Sequence, residues 1–86
     1  MSKHILAILV GKRKETAVNV QKILTGWGCM IKSRLGLHDG TLDKCSESGL
    51  IILELVGELE KMEELHRKLE LLEDVHAKLV SLTLDK

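Results

Sequence analysis

The chain is predicted to be an α+β domain with the element order β-α-β-β-α-β: a four-stranded antiparallel sheet with two helices on one face. Three observations predict it. Two short aliphatic runs, HILAILVG at residues 4–11 and LIILELV at 50–56, lack the alternation of a half-exposed strand, which places both in the middle of a sheet. Each is followed by a stretch with apolar residues at helical spacing. Each of those is followed in turn by a segment of interleaved apolar and polar residues. Right-handed crossovers then put both helices over the same side of the sheet, with strands 1 and 3 adjacent at its centre.

The first run is too short for a buried helix and ends at Gly11, so it is a strand covered on both faces. A basic turn follows, Gly11-Lys12-Arg13-Lys14. In residues 15–28, Ala17, Val20, Ile23, Leu24 and Trp27 form one helical stripe, and Gly26 or Gly28 is expected to close the helix in the left-handed conformation. Residues 29–39 alternate, with Cys29, Ile31, Ser33, Leu35 and Leu37 on one face and Met30, Lys32, Arg34, Gly36 and His38 on the other. Gly57 ends the second central strand. Residues 58–70 place Leu59, Met62, Leu65 and Leu69 on one stripe among Glu and Lys, the clearest amphipathic helix of the chain. Residues 75–84 form the last strand.

Eighty-six residues make one domain over 1–86, with a modest core. With Trp27 as the only aromatic residue, that core is built from Leu, Ile, Val and Met. Thirteen basic and thirteen acidic side chains give no net charge, which speaks against a nucleic-acid partner. Nothing approaches the ~20 apolar residues of a membrane span. Cys29 and Cys45 do not build a disulfide framework, and the expectation is free thiols in a cytoplasmic protein.

The stretch LHDGTLDKCSESG, residues 37–49, concentrates His38, Asp39, Asp43 and Cys45. A hairpin loop across 39–48 accounts for its Asp, Gly and Ser content. The alternative is a metal site shared between subunits, in which His38 and Cys45 supply ligands from each copy. His66, on a charged helix, is expected to be solvated, and His4 and His76 are ordinary polar residues at strand starts. Glu58, Glu60, Glu63 and Glu64 make a solvated helical face, with pairs such as Glu63–Arg67 and Glu64–Lys68. There is no nucleophile triad pattern, phosphate loop or dinucleotide fingerprint, so no catalytic residue and no cofactor is assigned, and an enzyme is not expected.

VNVQKILTGWGCMIKSRLGLHD, SGLIILELVG and LHRKLELLEDVHAKLVSL together resemble the ACT-like regulatory domains, and are most similar to the small stand-alone iron-only hydrogenase system regulators. The resemblance lies in a helix ending Leu24 to Gly28 before a strand, and in Leu69, Leu72 and Val75 before the last strand. It implies a ferredoxin-like βαββαβ sandwich, pairing of subunits, and a role in sensing or regulation. The nickel-responsive repressor shares this fold group. Here Gly49 stands at its Cys ligand position and only His38 falls near a ligand position, so nickel sensing does not carry over.

Two functions follow. One is a sensor that oligomerises through its sheet, as dimer or tetramer, and binds a small anionic molecule. The other is a ligand-free interaction module. The far face of strands 1 and 3 is expected to be aliphatic, with Leu50, Ile52 and Val56 pointing away from the helices and Ile51, Leu53 and Leu55 beneath them. Glu54 shares the far face, beside Lys32 or Arg34. Gly11, Lys12, Arg13 and Lys14 are the candidate ligand-binding residues. They occupy the place where ACT-like domains hold ligands, and cations at a helix start are costly unless an anion joins them. The absence of aromatics from strands 1 and 3, together with the neutral net charge, speaks against an RNA-binding role.

Overall fold

The structure, a computed structural model, describes residues 1–11, 14–41 and 44–85, and among these the side chains of all but residues 14, 38–41 and 44–48. Its elements are β1 (Ser2–Val10), α1 (Lys14–Gly26), a short 3-10 turn (Gly28–Met30), β2 (Ile31–Thr41), β3 (Lys44–Leu55), α2 (Leu59–Glu70) and β4 (Val75–Thr83). They form an α+β ferredoxin-like fold. The four strands make one antiparallel sheet of order β2-β3-β1-β4, with the two unalternating strands in its middle.

Pairing of β1 with β3 runs from His4↔Leu55 to Val10↔Gly49 and sets the faces of both strands. Side chains alternate, so Leu6, Ile8 and Val10 share the helix side with Ile51, Leu53 and Leu55. All six are buried. Above them lie Val20 and Leu24 from α1, and Met62, Leu65 and Leu69 from α2, while Ala77 closes the core from β4. Ile23, Trp27, Leu72, Val75 and Leu79 pack around its rim.

Several details depart from the sequence reading. In α1 the buried residues are Thr16, Val20 and Leu24, with Ala17, Ile23 and Trp27 half-buried. Thr16 lies outside the apolar pattern, yet it is buried with its hydroxyl satisfied across the fold, donating to the Glu73 carbonyl at 3.4 Å. Leu59 opens α2 and remains exposed. Neither Gly26 nor Gly28 has positive φ. The backbone N–H of Trp27 instead donates to the carbonyls of Ile23 and Leu24, tightening α1 into the 3-10 turn. Gly57 does adopt the left-handed region, φ 111°, at the turn from β3 into α2.

The segment expected to be a loop across 39–48 is mostly strand. Backbone pairing continues through Gly40↔Cys45 to Thr41↔Lys44, so the connection falls at residues 42–43, outside the described residues. Ladder hydrogen bonds are made by the backbone, and a run of Gly, Asp and Ser can carry them without showing an apolar rhythm. The register of β2 against β3 shifts twice, between Ile31 and Ser33 and again between His38 and Gly40. Ile31 pairs with Leu55 and Ser33 with Glu54, so Lys32 is the extra residue of a β-bulge. The bulge turns Ile31 toward the core and leaves Leu35 and Leu37 on the far face.

Leu65 is wholly buried between the sheet and α2's own neighbours in a core with few members. Leu65→Ala is expected to cost about 2–5 kcal/mol by the lost transfer energy and the cavity left behind. Chemical denaturation would read this as a lowered midpoint at an unchanged slope.

Candidate functional site

The helices cover one side of the sheet. On the other, the register lines up Leu35 and Leu37 from β2, Leu50 and Ile52 from β3, Ile5, Ala7 and Leu9 from β1, and Val80 and Leu82 from β4. Leu9, Leu35, Leu37, Val80 and Leu82 are between 41% and 57% exposed, and the rest are partly covered by their strand neighbours. Nine aliphatic side chains thus form a continuous surface across all four strands. Within β3 the expected division holds, with Ile51, Leu53 and Leu55 inside and Leu50, Ile52 and Glu54 outside, while Val56, expected in the outer set, lies past the end of the strand and is exposed.

Polar groups gather at one end of this face. Glu54 lies on β3 between two lysines, with Lys3 Nζ of β1 at 3.3 Å and Lys32 Nζ of β2 at 4.0 Å. Lys32 reaches it because the bulge frees it from strict alternation. Arg34, the other expected partner, is on the helix side and donates to Gln21 Oε1 of α1 at 2.6 Å. Beside the trio is a shallow depression of about 490 Å³, lined by Lys3, Ser33, Arg34 and Glu54 together with aliphatic residues that include Ile5, Leu35, Ile52 and Leu82. A smaller one, about 250 Å³, adjoins it and includes Ser2, His4 and Lys32.

The basic turn after β1 is described only at its ends. Lys12 and Arg13 lie outside the described residues, as does the side chain of Lys14, the first residue of α1. Gly11 donates its N–H to the Asp74 carbonyl at 2.8 Å. Asp74 holds φ 64°, and its carboxylate fills the space where a Cβ on Gly11 would stand. A carboxylate of the protein itself therefore lies against the turn where an anion was expected. Of the other candidates, His38 and Cys45 fall on paired strands near the hairpin end, opposite Gly49 and Gly40 respectively, with side chains outside the described residues. Among the described residues no group of three or more His, Cys, Asp or Glu is arranged to hold a metal ion.

His66 is not solvated as expected. It is half-buried, and its Nε2–H donates to the Ala77 carbonyl at 2.8 Å, while the Ala77 N–H donates to Glu70 Oε2 at 3.2 Å. Ala77 belongs to edge strand β4, so two side chains of α2 satisfy the backbone groups that this strand turns away from β1. The exposed His76 Nδ1 lies 3.6 Å from Glu70 Oε1. His4 Nδ1 bonds with Ser81 Oγ at 2.8 Å, tying β1 to β4. Glu64 pairs with Lys61 at 3.8 Å. The signal for the His66 contact was its place on α2 one residue after buried Leu65, at the border of the apolar stripe.

No family model and no curated protein matches this chain. Among solved structures it is similar to TM1266, an uncharacterized protein from Thermotoga maritima. The TM-score is 0.81 at 24% identity, over 96% of this chain and 100% of that one. At this identity the likeness concerns the fold. Among the described residues no helix is long and apolar enough to cross a membrane.

Two outcomes test the local geometry. Gly11→Ala is expected to destabilise by about 1–3 kcal/mol, since its Cβ would displace Asp74, and Asp74→Gly should restore most of the loss by removing both side chain and positive-φ strain. Thermal melts of the two single variants and the double variant check this. His66→Ala should cost about 1–2 kcal/mol, because it leaves the Ala77 carbonyl without its donor. Faster exchange of amide protons on the outer edge of β4 would accompany it.

Proposed function

We propose that this protein is a small regulatory module that works as a homodimer, joined face to face through the helix-free side of its sheet, with a small anionic ligand held at the interface. The observation that carries the reading is the aliphatic face itself. Exposed apolar surface continuous over four strands is costly in water, and a second copy of the same face is a complementary cover. Four strands about 4.8 Å apart and about 30 Å long present roughly 600 Å². A stable interface usually buries about 800 Å² on each partner. The face is therefore sized for a reversible dimer, as suits a regulator whose state must change.

Edge-to-edge pairing is the competing mode. It is disfavoured at β4, where His66 and Glu70 already engage both outward backbone groups of Ala77. The resemblance to the stand-alone regulators supports a regulatory role, with an iron-only hydrogenase system as the target it suggests. On this reading no step of chemistry is assigned to the chain. A ligand acts by binding one assembly state better than the other.

Ile52 stands at the centre of the face, between Ala7 of β1 and Leu35 of β2. Ile52→Lys is expected to convert the dimer to a 9.6 kDa monomer. Its fold should survive, since the side chain points away from the core. Light scattering across micromolar concentrations checks this. A wild-type chain that stays monomeric throughout would refute the proposal.

A further inference from the structure

We propose that dimerisation is gated by a small aliphatic carboxylate bound at Lys3 and Lys32, one per copy. The inference rests on the sheet-face reading above and deepens it. By register and contact, the charged residues described on this face are Lys3, Lys32, Lys78 and Glu54, with His76 beside them on β4. Lys78 and His76 are exposed on the edge strand: His76 Nδ1 turns toward Glu70 Oε1 of α2, 3.6 Å away, and the long Lys78 stem carries its ammonium past the edge into water. The other three act together. One carboxylate faces two ammonium groups, at 3.3 Å and 4.0 Å, which leaves one positive charge over in each copy.

In a free monomer that surplus is solvated and costs little. Stacking two faces removes the water and brings two such trios into one interface. A charge buried without a partner opposes assembly. Lys3 reaches in from β1 and Lys32 from β2, with Glu54 on β3 between them, so the shared carboxylate draws both ammonium groups over the sheet. A monoanion entering with the second copy balances the charge. Lys32 is the more available donor, since its 4.0 Å separation from Glu54 is beyond hydrogen-bond length.

The adjoining depression sets the rest of the ligand. Ile5, Leu35, Ile52 and Leu82 give it an aliphatic floor beside Lys3 and Glu54. The complementary molecule has one carboxylate and a short aliphatic tail that lies on this floor and is covered by the partner's face. Glu54 repels a second negative charge, which disfavours dianions. The floor holds no aromatic side chain on which a nucleobase could stack.

The test is sedimentation equilibrium of the wild-type protein at one ionic strength in sodium chloride, sodium acetate or sodium 3-methylbutanoate. The dimer dissociation constant is expected to fall about tenfold or more from chloride to 3-methylbutanoate, with acetate between them. Lys3→Met with Lys32→Met, both exposed positions, should dimerise tightly in chloride and no longer respond to the carboxylate. Glu54→Gln should weaken the dimer in chloride. A wild-type dimer equally tight in all three salts overturns the gating and leaves the sheet-face reading standing. A wild-type chain monomeric in every salt, and unaffected by Ile52→Lys, removes both. An equal response to acetate and 3-methylbutanoate overturns the assignment of an aliphatic tail.

Discussion

The pairing of β1 with β3 constrains everything else in this molecule. Both strands are apolar on both faces, and both lie in the middle of the sheet. Two helices reach only one side of a sheet in this topology. The core therefore collects on that side, from Leu6, Ile8, Leu53 and Leu55 up to Val20, Leu24, Met62, Leu65 and Leu69. The same pairing leaves Ile5, Ala7, Leu9, Leu50 and Ile52 on the other side, where none of the described elements covers them. A domain of this size has little core to spare, and the apolar residues placed outside it are what the proposed pairing of two copies rests on.

The polar groups fit that arrangement. The bulge at Lys32 breaks a regular strand, yet it places an ammonium group beside Glu54 on an otherwise aliphatic face. Arg34, two residues later, returns to the helix side and serves α1 through Gln21. At β4 the His66–Ala77–Glu70 contacts occupy an edge that could otherwise recruit another strand. Asp74 at Gly11 shows a different economy. The turn after β1 is braced by the loop before β4, with a backbone bond and a carboxylate laid over a glycine.

Much of this was legible in the residues. Continuous apolar runs distinguish a central strand from an edge strand, so β1 and β3 were placed in the sheet and their faces assigned from Glu54 alone. The stripe of α2 was clear because Met62, Leu65 and Leu69 interrupt a charged background. The hairpin end was not legible, because pairing through Gly40, Thr41, Lys44 and Cys45 depends on backbone groups that every residue carries. The bulge hid for the same reason: one inserted residue changes the face of Ile31 without changing composition. The turn 11–14 stands out in the sequence because its charge conflicts with the helix dipole, and it lies largely outside the described residues. The trio Lys3–Glu54–Lys32 is assembled from three strands, and no local window contains it.

The central claim is that the helix-free face of the sheet is where two copies meet. Isotope-filtered methyl spectroscopy on a mixture of labelled and unlabelled chains tests it most directly. Intermolecular contacts are expected from the methyl groups of Ile5, Leu35, Ile52 and Leu82, and none from Leu6, Leu53 or Leu65. Intermolecular contacts confined to the outer surface of α1 or the edge of β4, or none at concentrations where the protein is dimeric, would contradict the account.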